Sequence, residues 1–586
     1  MAICPVLVHC KFMIRLHYYI MLKRFKFIIF AAVLAACFFA TDVSADIIGD
    51  KKTFYTNTGY DRLGRSSVGA TLRAVSDKAY FYVEDRYWDN LNFIQAQTFT
   101  NKLKDLATDL DTAIYPNETK FWGSEPNPGV DGDPRLTIFL EDLQTNYGGY
   151  FETINVNPDA SPEESNHREM FVASTNALGG PFLKSFLAHE FQHLISYNQK
   201  ELLNNSTEDV WLNEGRSEYS ITLNGYNDFY TGSNLESRVK QFQDTPSDSL
   251  TEWPNVKADY AIADIFTEYL ADRFGPNILS ETLHYKSYGI PSLEEYLKAR
   301  GTSFEGVFMD WMAAVYLNNR ALDSKFGYIK GGLNNIKIQP QYSVRLYSTL
   351  SEYNNSVSIK DWQPYWFEYD LNGLTDRSKS LQLDIDKQMG QNFLVSYIAF
   401  YNNGQIEVNK ISLVTGNTQA YITNSQDKQL SKVIVMITNG TKLIDFGKSE
   451  PLSVINIKSK MTDNSYIEAQ TLKDGSLIKR PREKEIYVIW GKYKRYLNPE
   501  VIKLYGHLDP SKAIEVGPEI FDSYRSSNYV RYVNDERVYA VWPDGTKHWL
   551  HITPQQWDAS ARDWNSIFII NELELGAYKT GPDITR

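Results

Sequence analysis

The sequence predicts an α+β chain, and three observations carry that reading. β-rich runs crowd the first part, apolar residues at helical 3–4 spacing dominate the next, and short alternating runs take over after about residue 340. Lys78–Glu84 (KAYFYVE) and Arg135–Leu140 (RLTIFL) read as strands, the second following the turn residues Asn127-Pro128-Gly129 and Asp131-Gly132-Asp133-Pro134. Leu183–Asn198, Tyr260–Arg273 and Leu293–Leu317 read as helices. Residues 46–335 are therefore expected to form one α+β domain, with the stretch from Asp46 to about Lys120 kept inside it. Residues 340–465 carry Ser380–Ile385, Phe393–Tyr401 and Lys432–Ile437 between turns at Asn402-Asn403-Gly404 and Asn439-Gly440, which predicts an antiparallel β-sandwich.

The carboxy-terminal part repeats itself. Glu485–Trp490 (EIYVIW) matches Arg537–Trp542 (RVYAVW), and Lys494-Arg495-Tyr496-Leu497 matches Lys547-His548-Trp549-Leu550 after one inserted residue. Two small tandem α+β modules, 480–530 and 531–586, follow, each opening with a hairpin and continuing through a Pro-led helical turn. Trp542, Trp549 and Trp557 either serve attachment to a cell wall or surface or fill the modules' small cores.

Composition narrows the function classes. The chain has 586 residues, 42% of them hydrophobic, and a formal net charge of −12, an ordinary globular composition without the basic stripe that nucleic-acid binding needs. The cysteines Cys4, Cys10 and Cys37 all precede residue 40, which excludes a disulfide scaffold, a thiolate metal site and a cysteine nucleophile downstream. From Met21, a better start than Met1, basic residues precede the apolar run Phe27–Ala40 and the small-residue stretch Val43-Ser44-Ala45. This predicts a signal peptide over 21–45 and an extracellular protein, with Cys37 in Leu34-Ala35-Ala36-Cys37 as the alternative, a lipidated anchor at the cell surface.

Between residues 46 and 480 the only histidines are His167, His189, His193 and His284. Two of them frame His189-Glu190-Phe191-Gln192-His193, an HExxH pattern inside an amphipathic helix. A separation of four places both imidazoles on one helix face, one turn apart, where they can share a metal, and aims Glu190 at the open coordination position. The third ligand is not the histidine of a metzincin extension, because Ser196 and Gln199 stand where Gly and His are required. Trp211–Tyr219 (WLNEGRSEY) follows on a second helix, and Glu214, 21 positions beyond His193, is placed to bring a carboxylate to the same ion. Glu218, one turn on, shares its face and would accept the outer N–H of a ligand imidazole. Tyr260 and His284 are the candidates for a second electrophile at the oxyanion. His167 reads as a solvated loop residue, and Asp131 and Asp133 as turn formers that could also bind Ca2+.

HEFQH followed by WLNEGRSEY resembles the gluzincin metallopeptidases, thermolysin-like in their catalytic core, and most closely the hyicolysin family of secreted bacterial neutral metallopeptidases. Asp133–Leu136, Gly148–Phe151 and Arg168–Phe171 are similar to the strand and edge segments that precede the active-site helix there, so the resemblance spans about residues 50–320. It implies a zincin-like fold, a mixed sheet plus active-site helices, with Zn2+ held by His189, His193 and Glu214 and with Glu190 as base. The expected function is secreted zinc-dependent endopeptidase action on protein or peptide substrates. The other reading is a non-catalytic cell-surface binding protein with a peptidase-like domain.

Overall fold

The computed structural model describes residues 45–585 except 146, 177–181, 347–351, 375, 377, 389, 415, 426–427, 442–448, 464–471, 481–482, 517–520, 523 and 561. Cys37 and the expected leader, up to residue 44, lie outside the described residues. Contacts divide the chain into two compact units. The first takes in residues up to Gln341 with Ile359–Trp366 and Met436–Ser453, and the second takes in Tyr342–Ser358, Phe367–Val435 and Val454–Arg586.

The first unit begins with strands β1 (Lys51–Tyr55), β2 (Ser67–Val75) and β3 (Ala79–Glu84), followed by helix α1 (Phe93–Asp109). Strands β4 (Leu136–Glu141), β5 (Gly149–Tyr150) and β6 (Met170–Ser174) complete a mixed sheet in the order β1-β2-β3-β4-β6-β5. β3, β4 and β6 run parallel and every residue in them is buried. That burial accounts for the nearly unbroken apolar runs of the sequence, since a strand covered on both faces need not alternate. One face gathers Phe54, Leu72, Tyr80, Tyr82, Phe139 and Val172 into a core.

The helical half follows with α2 (Leu183–Ser196), α3 (Val210–Leu223), α4 (Asn234–Asp244), α5 (Lys257–Phe274) and α6 (Phe304–Leu317). The run Leu293–Leu317 is two helices and not one. The chain breaks at Gly301, whose φ of 75° is left-handed, and Ser303 restarts the helix by accepting a hydrogen bond from the Gly306 N–H. Among the described residues no helix is long and apolar enough to cross a membrane.

Beyond residue 340 two sheets form, β13-β10-β15-β8 and β12-β11-β14-β9-β7. Their strands are β7 (Tyr342–Arg345), β8 (Tyr353–Ile359), β9 (Tyr365–Asp370), β10 (Lys379–Lys387), β11 (Phe393–Tyr401), β12 (Ile406–Ile411), β13 (Gly416–Ile422), β14 (Leu430–Asn439) and β15 (Ser453–Asp463). Gly404, at φ 85°, closes the β11–β12 hairpin.

The two modules share one topology. In the first, β16 (Leu477–Lys479), β17 (Ile486–Trp490), β18 (Tyr493–Leu497), β19 (Ile514–Glu515) and β20 (Arg525–Ser526) lie in the order β19-β16-β17-β18-β20. In the second, β21 (Tyr529–Tyr532), β22 (Val538–Val541), β23 (Thr546–Trp549), β24 (Phe568–Ile570) and β25 (Lys579–Thr580) repeat it as β24-β21-β22-β23-β25. Pro499 and Pro554 open the short helices α7 (Pro499–Ile502) and α8 (Pro554–Ala559). Trp557 is a core residue, Trp549 is half-buried, and Trp542 is 46% exposed.

Candidate metal centre

Two helices build the site. α2 is buried almost all round, so its polar residues must find partners inside the protein. His189 and His193 project from one face with their Nε2 atoms 3.1 Å apart. α3 brings Glu214, whose Oε2 lies 3.1 Å from His189 Nε2 and 3.4 Å from His193 Nε2. α3 lies close to α5 because Gly215 has no side chain: a Cβ there would stand 2.4 Å from Thr267 Oγ1.

The triangle fits a metal ion. Zinc with bonds of about 2.0–2.1 Å in tetrahedral geometry needs ligand atoms about 3.3–3.4 Å apart, close to all three separations. Among the described residues Glu214 Oε2 is buried and meets no donor besides the two imidazoles, so with both Nε2 atoms deprotonated it is an orphan that a cation would satisfy. Among the described residues this is also the one cluster of three such side chains close enough to hold an ion.

The outer imidazole nitrogens are held in turn. His189 Nδ1 lies 3.4 Å from Glu218 Oε1, at the long end of hydrogen-bonding distance. Glu218 is itself gripped by the Arg238 guanidinium at 2.6 and 3.0 Å and by the Asn234 amide at 2.5 Å. Burial pushes the Glu218 carboxyl up, but Arg238 more than reverses this and keeps it ionised. His193 Nδ1 lies 3.2 Å from Ser217 Oγ, which donates to Gln192 Oε1 at 2.6 Å. The Ser217 proton is thus committed to Gln192, so its oxygen accepts from Nδ1–H and leaves the His193 Nε2 lone pair free to take a metal ion.

Glu190 lines the same cleft, a cavity of about 470 Å3. Burial raises its pKa to about 8, with His193 opposing and Glu214 and Glu218 adding to the rise. For Glu214, burial also acts upward, yet the adjacent His193 and His189 hold it well below the usual carboxylate range. The two carboxyls therefore differ: one is kept anionic, as a metal ligand would need, while the other can take and return a proton near neutrality.

β5, the last strand of the sheet, borders the cleft through Gly149 and Tyr150. A Cβ on Gly149 would lie 2.6 Å from the Val172 carbonyl and 3.3 Å from Glu190 Oε1, so glycine lets the strand pass directly over the base.

Of the electrophile candidates, Tyr260 on α5 lines the cleft and His284 does not. His284 is exposed at the end of the helix Asn277–Leu283, with Nδ1 2.7 Å from the Ser280 carbonyl. Asp131 and Asp133 are engaged elsewhere, Asp131 with Arg168 at 3.2 Å and Asp133 with the Tyr80 hydroxyl at 2.7 Å. His167 is half-buried at φ 46° and lines a separate cavity beside them.

Sequence reasoning missed Ser217, Arg238 and Tyr60. Ser217 had a signal, since it lies beside Glu218 on the helix that carries Glu214. Arg238 and Tyr60 had none, because each reaches the site from a separate element. Tyr60 lines the cleft from the turn before β2, stacked on Tyr150 at 4.8 Å and edge-on to Tyr147 at 4.7 Å. Hydrogen bonds from the Gln144 N–H to the Tyr60 carbonyl and from the Asn57 amide to Glu152 hold that turn.

Glu218→Gln, which keeps the side-chain volume beside Arg238, is expected to weaken zinc retention about 10- to 100-fold, measured by competition with a chelating dye. Unchanged affinity in a folded variant would remove Glu218 from any role in orienting His189.

No family model matches the chain. Among curated proteins it is similar to the neutral metalloprotease ShpI of Staphylococcus hyicus, 28% identical over 206 residues that take in 31% of this chain and 44% of that protein. The chain therefore spans less than half the length of that relative, and the likeness is a distant one to a metalloprotease.

Proposed function

We propose that this chain is a secreted zinc-dependent endopeptidase of the gluzincin type, related to the hyicolysin family, acting on protein or peptide substrates outside the cell. The observation that carries this reading is the triangle of His189 Nε2, His193 Nε2 and Glu214 Oε2 beside Glu190 in one cleft. His189, His193 and Glu214 would hold the ion. Bound there, zinc supplies Lewis acidity, polarising a peptide carbonyl and acidifying a water.

The chain's own residues do the rest. Among the described residues β5 is the end strand of its sheet, an edge that can pair with an extended peptide and lay the scissile bond across α2. Glu190 takes the proton of the attacking water and delivers it to the departing amine. The Tyr260 phenol, kept protonated by burial and by Glu214 and Glu190 nearby, donates to Asn255 Oδ1 and would turn from it to donate to the developing oxyanion. Tyr60, Tyr150 and Trp253 give the cleft an aromatic wall beside this proton transfer.

The test is to purify the chain from Asp46 onward, count zinc, and follow casein hydrolysis before and after treatment with 1,10-phenanthroline. About one zinc per chain is expected, with hydrolysis lost on chelation and restored by added zinc. Absence of bound metal, or hydrolysis indifferent to the chelator, would overturn the reading.

A further inference from the structure

We propose that Glu201 makes the cleft selective for substrates carrying a lysine or arginine on the amino side of the cleaved bond. The inference rests on the peptidase reading and adds a substrate class to it. Glu201 lies in Tyr197–Leu202, the helical continuation of α2 beyond His193, and lines the same cleft as the ligand triangle.

Charge is the first argument. The cleft is lined by the carboxyls of Glu190, Glu201, Glu208 and Glu214, with Lys200 as its lining cation. Glu208 has cations of its own, Arg216 at 2.5 Å and Lys200 at 3.6 Å. Lys200 is 1% exposed and directs its ammonium at Glu208 and at the Tyr285 and Ser287 carbonyls, 2.7 and 2.6 Å away. Glu214 and Glu190 would be answered by the ion that the triangle holds. Glu201 is left over: it is half-buried, and no cation among the described residues pairs with it. Burial raises its pKa with no neighbouring charge to offset the rise, the mark of a carboxylate short of counter-charge. An apolar side chain placed against it would strip away more of its water and an acidic one would repel it, whereas an ammonium or guanidinium would pair with it.

The side of the bond follows from the direction of β5. Gly149 passes over Glu190, a Cβ there standing 3.3 Å from Oε1, so the reacting bond lies beside Gly149. From Gly149 the chain runs through Tyr150 to Phe151, whose ring lies 6.2 Å from that of Tyr197. Tyr197 is about one turn before Glu201, and its phenol is raised by burial and then by the Glu201 charge, which places the carboxylate at this end of the cleft. A peptide pairing antiparallel with β5, the more stable of the two pairings, runs the opposite way, so its residues beside Phe151 precede the cleaved bond. The Phe151 and Tyr197 rings also suit the aliphatic stem of a lysine or arginine whose charged head reaches Glu201.

The test uses the zinc-loaded full chain. Cleavage sites are mapped in casein by mass spectrometry, and reporter peptides are built around one of them with Lys, Gln or Glu at each of the three positions before the cleaved bond. At one of these positions kcat/KM is expected to favour Lys over Gln about tenfold, and over Glu by more, with the ratio shrinking as salt is raised. The Lys-to-Gln ratio is expected to fall to about one in Glu201→Gln, and the preference to reverse towards Glu in Glu201→Lys, a reversal that a merely structural role would not produce. Equal cleavage of the Lys and Gln peptides by the unaltered chain overturns the inference whether or not the variants fold, as does a preference confined to the carboxy side or one that survives in Glu201→Gln. A chain that leaves casein intact would overturn the peptidase reading and this inference with it, whereas cleavage without the basic preference overturns this inference alone.

Discussion

Glu190→Gln is expected to lower kcat/KM for casein or a peptide reporter by about 10²–10⁴-fold while zinc content and thermal unfolding stay near those of the unaltered chain. The substitution removes one proton site and almost no volume. Glu190 is buried beside the ligand triangle, and its pKa of about 8 places it where a carboxyl can both accept and return a proton. Burial is the first cause of that rise, and the anionic Glu214 and Glu218 add to it. A cation held by His189, His193 and Glu214 would pull the value down again, so the loaded enzyme should titrate below the metal-free chain. Activity should accordingly fall as pH drops through the loaded-state value, because only the carboxylate can accept the water's proton. A Glu190→Gln variant that keeps its zinc and cleaves as fast as wild type would sink the general-base assignment.

Legibility in the sequence followed locality. The helix bearing His189, Glu190 and His193 could be read because an i, i+4 relation and an amphipathic stripe are properties of one segment. Glu214 and Glu218 were reachable because they also share one helix. Arg238 lies on α4 and Tyr60 in a turn tied to residues 144–152, so each meets the site only through tertiary packing that no local pattern encodes. The parallel arrangement of β3, β4 and β6 is likewise a property of the assembled sheet. Helix α1 had a readable start, the capping box of Asn92 and Gln95 ahead of the buried Phe99, Leu103 and Leu106, but the strand-like runs around it dominated the reading. His284 failed for the converse reason: histidine is scarce in this chain, and scarcity says nothing about which way a residue faces.

The second large effect separates the two tyrosines of the cleft. Both phenols are raised by burial and by the nearby Glu190 and Glu214, so both keep their protons at neutral pH and can donate. Their settings differ. Tyr260 sits on α5 with its ring 4.9 Å from the Arg238 guanidinium and 5.1 Å from Trp253, and its hydroxyl rests on Asn255 Oδ1 at 2.9 Å. Asn255 is at φ 64°, a left-handed position that asparagine tolerates, which points its amide oxygen back at the phenol. Arg238 grips Glu218 as well, so one cation steadies both the carboxylate beside His189 and the Tyr260 ring in the cleft wall. Tyr60 is instead built into an aromatic wall with Tyr147 and Tyr150. Tyr260→Phe is therefore expected to lower kcat about 10²–10³-fold with KM nearly unchanged, the signature of a donor used in the transition state and not in the ground state. Tyr60→Ala, which opens the wall, is expected to act chiefly on KM. Stopped-flow hydrolysis of a fluorogenic peptide over a range of substrate concentrations distinguishes them, and a Tyr260→Phe variant with wild-type kcat would assign the oxyanion to another group.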